Sequence, residues 1–132
     1  DKRIAELNKH ESIASLTELE LMLDTHAFLV SEFKEITWKD KRSLASKYLH
    51  FHAPNMVYIY DGRAEKESCR YVRAGGPDYE HLKEAGSDKW DAGYIKFVSR
   101  MFELQKYIKK EFEKRLSPRA LDSFLLQFKY YN

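Results

Sequence analysis

The sequence predicts an all-α fold, a compact single-domain bundle of several helices. Two observations carry that prediction. Apolar residues recur at helical spacing over long stretches, while the strict alternation of a half-buried strand is nearly absent. Turn chemistry from Gly, Pro, Asp and Ser is gathered into short breaks between those stretches. A chain of 132 residues fits one domain. At that size about two-thirds of the unfolded surface is buried on folding, enough for a core without staples.

The elements follow in order. Residues 1–10 hold weak helical spacing through Ile4 and Leu7 and predict a short helix. The first strong helix spans Ser15 to Phe33. Ser15 and Glu18 match a capping box, in which each side chain satisfies a backbone donor of the other. Leu16, Leu19, Leu23, Ala27, Val30 and Phe33 form its stripe. Leu21, Phe28 and Leu29 fall off it, and a helix apolar on two sides is central in its domain or half of an interface. Trp38 to Arg42 is a charged connection. Ser43 to His52 predicts a compact helix with Leu44, Tyr48, Leu49 and Phe51 on the apolar side and Ser43, Ser46, Lys47 and His50 on the other. Pro54 stops it. Asn55 to Tyr60 is apolar and extended, and Asp61 is placed to cap a helix carrying Ala64, Cys69 and Val72. Ala74 to Trp90 is turn-rich, with at most one short helix near Tyr79 to Glu84. Asp91 to Leu116 has a strong helical stripe, and Ser117-Pro118 opens a last helix with Leu121, Phe124, Leu125 and Phe128.

Composition narrows the class. Apolar residues at 43% with charged residues at 33% describe a globular protein, not a disordered one. With 23 basic and 21 acidic side chains the net charge is +2, too balanced to argue for nucleic acid in bulk. An anion-binding face has to come from local clusters, of which the best are Lys39, Lys41 and Arg42, then Arg63, Arg70 and Arg73. The single cysteine, Cys69, excludes an intrachain disulfide and a cysteine-based zinc site, and fits a reducing compartment. No apolar run reaches the length of a membrane span and no signal peptide is present, so the expected location is cytoplasmic. The chain opens on Asp1 rather than Met, and an N-terminal piece is expected to lie outside it.

Two residues invite chemistry. Lys47 stands at the edge of an apolar helical surface, where partial loss of hydration turns a lysine into a nucleophile toward an aldehyde-like carbon. The plainer reading is a surface lysine laid along its apolar stem. Asp61 follows fourteen positions later across a break. A carboxylate at a helix head is held ionised by the free amides, able to stabilise a developing cation or simply to cap. No metal site is expected. His50 and His52 point apart on a helix, and His10, His26 and His81 are scattered. Gly75-Gly76 lacks the strand and lysine of a phosphate loop.

The stretch SLASKYLHFHAPNMVYIYDGRA (43–64) resembles the helix-hairpin-helix DNA glycosylase superfamily, in its 8-oxoguanine DNA glycosylase-like branch. Ser46-Lys47 matches the hairpin's end and the lysine, and Tyr58-Ile59-Tyr60-Asp61-Gly62 matches the aspartate phrase. The closing SPRALDSFLLQF (117–128) is similar to the last helix of small bacterial proteins of this sort, some of them in phage-defence gene clusters. The resemblance implies a central helix-hairpin-helix-like element, DNA as partner and no cofactor. It implies that a damaged base is flipped into a pocket, that Lys47 attacks the sugar carbon as the base leaves, and that Asp61 assists electrostatically. Lys41, Arg42, Ser43, Ser46 and Arg63 would then meet the DNA backbone, with Tyr48, Tyr58 or Tyr60 stacking on the base.

Two other classes compete. A non-catalytic helical module binding nucleic acid or protein, in anti-phage defence for instance, expects Lys47 exposed and unpartnered, with the helix from Ser15 to Phe33 as an interface. A structural bundle would homodimerise through Leu21, Phe28 and Leu29. Burial of those three in their own core removes the reason for it.

Overall fold

A computed structural model describes residues 1–72 and 77–131, with the backbone alone for 127–131. Arg73, Gly75 and Gly76 lie outside the described residues. Among those described the structure is all-helical, with no strand. The helices are α1 (Lys2–Asn8), α2 (Leu16–Thr37), α3 (Arg42–His52), α4 (Gly62–Tyr71), α5 (Tyr79–Ala85), α6 (Ala92–Phe112) and α7 (Pro118–Tyr131).

One continuous core joins them, with α6 at its middle. Tyr94, Phe97, Val98 and Met101 of α6 are fully buried, and each such side chain contributes about 1.5–3 kcal/mol relative to exposure. Helix α6 packs on α4 and α5, α2 packs on α1 and α3, and α7 closes against α4. Polar bonds stitch these groups together. The Trp90 Nε1–H donates to Asp24 at 2.6 Å, and the Tyr94 hydroxyl donates to the carbonyl of Tyr58 at 2.5 Å. Asp91 caps α6 by accepting from the Tyr94 N–H at 2.8 Å and also accepts from the Arg42 Nε–H. His26, fully buried, stacks on the Tyr94 ring at 3.7 Å.

Several expectations are corrected. The Ser15/Glu18 pair is not a reciprocal capping box. The Ser15 hydroxyl donates to the Glu18 carboxylate itself and makes no bond to a backbone N–H. Helix α2 runs one turn beyond Phe33 to Thr37 and ends on Trp38, held left-handed at φ 65°. Helix α6 stops at Phe112, four residues short of Leu116, at a left-handed Glu113. The second apolar side of α2 is largely accounted for within the chain. Leu21 and Leu29 pack partly against the core, and the Arg3 guanidinium covers the Phe28 ring at 4.0 Å. All three remain partly exposed, so the burial that would remove the homodimer reading is incomplete.

The largest correction is the orientation of α3. Its buried side is Ala45, Ser46, Leu49 and His50, while Leu44, Tyr48 and Phe51 face outward at 49%, 43% and 81% exposure. Polar residues line the inner side because α3 packs on an irregular segment, residues 57–60, whose backbone groups need partners. The His50 Nδ1–H donates to the Val57 carbonyl at 2.7 Å, and Ser43 and Ser46 bond both backbone groups of Tyr60.

Candidate functional site

The seam between α3 and the head of α4 is built by two serines one turn apart. Ser46 Oγ accepts from the Tyr60 N–H at 2.8 Å and donates to the Ser43 carbonyl at 2.8 Å, while the Ser43 hydroxyl donates to the Tyr60 carbonyl at 3.0 Å. Both backbone groups of Tyr60 are therefore held by α3. Lys47 follows Ser46 in the chain and Asp61 follows Tyr60, so the clasp ties the two candidate residues to one seam of the molecule.

Asp61 does what a helix-head aspartate should. Its Oδ1 accepts from the Ala64 N–H at 2.7 Å, capping α4. Lys47 lies in the second turn of α3, exposed, and makes no hydrogen bond or ion pair with another described residue. No hydrogen bond or ion pair joins Lys47 to Asp61, and the clasp is made by Ser43 and Ser46 on Tyr60 alone.

The other sequence-predicted residues divide. Lys41 is the N-cap residue of α3 and half-buried, without a side-chain cap bond. Arg63 is exposed on the first turn of α4, without a partner among the described residues. Arg42 is occupied: it ion-pairs with Asp91 and lies 5.2 Å over the Tyr60 ring. Ser43 and Ser46 are spent on the clasp and have no donor left for a phosphate. Tyr60 is half-buried, edge-on to Phe97 at 5.2 Å, with its hydroxyl donating to Glu65 at 2.6 Å. Burial, then that carboxylate, push its hydroxyl pKa up. Tyr58 is fully buried and donates to the Gln105 side chain, so it is a core residue, not a base-stacking one. Tyr48 is half-exposed.

Asp122, which the sequence does not single out, feels the charges of both Asp61 and His50, the latter weighed in the sequence only as a metal ligand. Asp122 on α7 has one carboxylate oxygen buried without a hydrogen-bond partner among the described residues. Burial raises its pKa first and the charge of Asp61 adds to that, with His50 opposing. His50 is nine-tenths buried with its Nδ1–H tied to Val57, which leaves Nε2 to carry the lone pair when the ring is neutral. No signal in the sequence brings α7 to the head of α4, so Asp122 could be found only from the fold. Among the described residues no group of three or more His, Cys, Asp or Glu side chains is placed to hold a metal ion. No described helix is long and apolar enough to cross a membrane.

No family model, curated protein or solved structure matches this chain.

Proposed function

We propose that the protein is a DNA-glycosylase-like enzyme of the helix-hairpin-helix kind, acting on a damaged base or an abasic site through a lysine Schiff base. In this reading the stretch from Ser43 to Ala64 is the helix-hairpin-helix-like element, although Ser46 and Lys47, matched to a hairpin's end, lie within α3. Lys47 is the nucleophile. Its neutral amine attacks C1′ of the deoxyribose, and the glycosidic bond breaks with its electron pair leaving on the base, which takes up a proton. The C1′–O4′ bond then opens as a proton passes from the lysine nitrogen to O4′, leaving an imine at C1′ that is open to reduction or to β-elimination of the 3′ phosphate. Asp61, the N-cap of α4, offers its carboxylate where the sugar ring becomes cationic. The single observation that carries the reading is the Ser43–Ser46 clasp on Tyr60. It ties the helix that carries Lys47 to the residue before Asp61, and Lys47 is exposed with no partner among the described residues, inside α3 rather than at a hairpin's end.

The test is strand cleavage of labelled duplexes carrying an abasic site or 8-oxoguanine. Lys47→Gln is expected to lose cleavage by at least about a hundredfold, as loss of a covalent nucleophile does, while keeping its melting temperature. Equal cleavage by the two proteins would overturn the reading.

A second reading rests on a different observation. An exposed lysine without a partner, next to exposed aromatics, also suits a helical module that binds nucleic acid without chemistry. Retained DNA binding with no cleavage by either protein would select it.

A further inference from the structure

The outward face of α3 carries side chains that neither the core nor the seam uses. Tyr48, His52 and Phe51 touch in series, with ring centroids 4.7 Å apart for Tyr48 and His52 and 5.2 Å for His52 and Phe51. Phe33 of α2 extends the series, edge-on to Tyr48 at 6.2 Å. Phe51 is 81% exposed, and Leu44 lies on the same side at 49%. Lys47 stands one turn from Phe51 on the flank of this strip. Helix α3 has the sequence RSLASKYLHFH, without a single Asp or Glu, and Lys39 and Lys41 precede it. An apolar aromatic strip beside unpaired cations, on a helix without acids, is complementary to a polyanion that bears flat faces. It is a poor match for an acid-free apolar partner, which would leave Lys47 unanswered.

We infer that the outer face of α3 is a stacking platform for unpaired nucleotides of a DNA strand, with Phe51 and Tyr48 taking bases and Lys41 taking a phosphate. The inference deepens the proposed function and rests on it for the identity of the polymer. It selects a substrate form: a duplex opened at the lesion, or a single strand, in preference to a fully paired duplex, whose base faces are closed. Base–aromatic stacking tolerates any sequence, so the platform reads strandedness rather than bases. Its phosphate contact makes binding weaken as salt rises.

The experiment measures fluorescence anisotropy of a labelled oligodeoxythymidine and of a fully paired duplex of the same length. The proteins compared are wild type, Phe51→Ala, Tyr48→Ala and, as a remote control, Phe112→Ala, which removes a 71% exposed aromatic from the end of α6. Tighter binding of the single strand is expected, with an approximately tenfold loss for Phe51→Ala and for Tyr48→Ala. Phe112→Ala should bind as wild type, and because Phe51 is so exposed its variant should melt as wild type. Equal binding by Phe51→Ala and wild type would overturn the platform, as would preference for the paired duplex. Absence of oligonucleotide binding, with a sedimenting dimer that Phe51→Ala dissociates, would also overturn it and give the strip to a second copy of the chain. The Lys47→Gln cleavage assay is read separately. A platform that binds without cleavage sinks the chemistry alone, and cleavage indifferent to Phe51 sinks the platform alone.

Discussion

At the scale of single residues, His26 makes the firmest forecast. It is fully buried, its Nε2–H donates to the Arg42 carbonyl at 3.1 Å, and its Nδ1 has no partner. Burial lowers its pKa to about 4, against about 6.5 for a free histidine. The unfolded chain therefore binds the extra proton first. This histidine costs the fold nothing above about pH 6.5, costs progressively more as pH falls toward about 4, and no more below that. The ceiling on that loss is about 3 kcal/mol. Urea midpoints measured from neutral to mildly acidic pH should fall in wild type and fall less steeply in His26→Gln, whose amide can still donate to Arg42. Parallel profiles would contradict the assignment. Asp61 can be divided in the same way. Asp61→Asn keeps a good cap, so stability should stay within about 0.5 kcal/mol while cleavage falls. Asp61→Ala should lose about 1 kcal/mol of stability as well. An Asn variant as active as wild type would reduce Asp61 to a cap.

At the scale of elements, the long helices α2 and α6 were legible because their core residues recur at a period that burial enforces. The short helix near Tyr79 and the Pro118 start of α7 were legible from turn chemistry and the proline position. In helix α3 Leu49 is buried and Lys47 exposed as the wheel expects, while Leu44, Tyr48 and Phe51 face out and Ser46 and His50 face in. A hydrophobicity wheel turns Leu44, Tyr48 and Phe51 inward, and the true inner side contains Ser46 and His50. Those two are buried because irregular backbone at Val57 and Tyr60 needs a donor and an acceptor, a demand no local pattern records. The same demand creates the clasp of Ser43 and Ser46 on Tyr60, which no local pattern in the sequence reveals. The α5–α6 junction offers a packing test. A Cβ on Gly86 would lie 2.0 Å from the Trp90 ring, which is itself pinned by its bond to Asp24. Gly86→Ala should therefore cost about 1–3 kcal/mol in chemical denaturation. A cost near zero would mean that Trp90 moves freely.

At the scale of the whole molecule, the core around α6 holds two polar bridges that fix how the halves meet. The Tyr58 hydroxyl donates to Gln105, whose amide donates to the Leu116 carbonyl at 2.7 Å, and Tyr94 reaches the backbone of Tyr58. These bridges set the 57–60 segment on α6, and α3 then closes on that segment. The all-helical class followed from periodicity alone, whereas this arrangement depends on buried polar groups separated widely in sequence. The candidate site is a product of that arrangement: a lysine on one helix and an aspartate on the next, joined through the backbone of Tyr60.

The central claim is that Lys47 forms a Schiff base with an opened deoxyribose. The most direct measurement is borohydride reduction of the protein mixed with a duplex containing an abasic site, followed by peptide mapping of the covalent product by mass spectrometry. The account predicts a stable adduct carried by the peptide that contains Lys47, and none in Lys47→Gln. An adduct on another lysine, or no adduct from a protein shown to be folded, would contradict it.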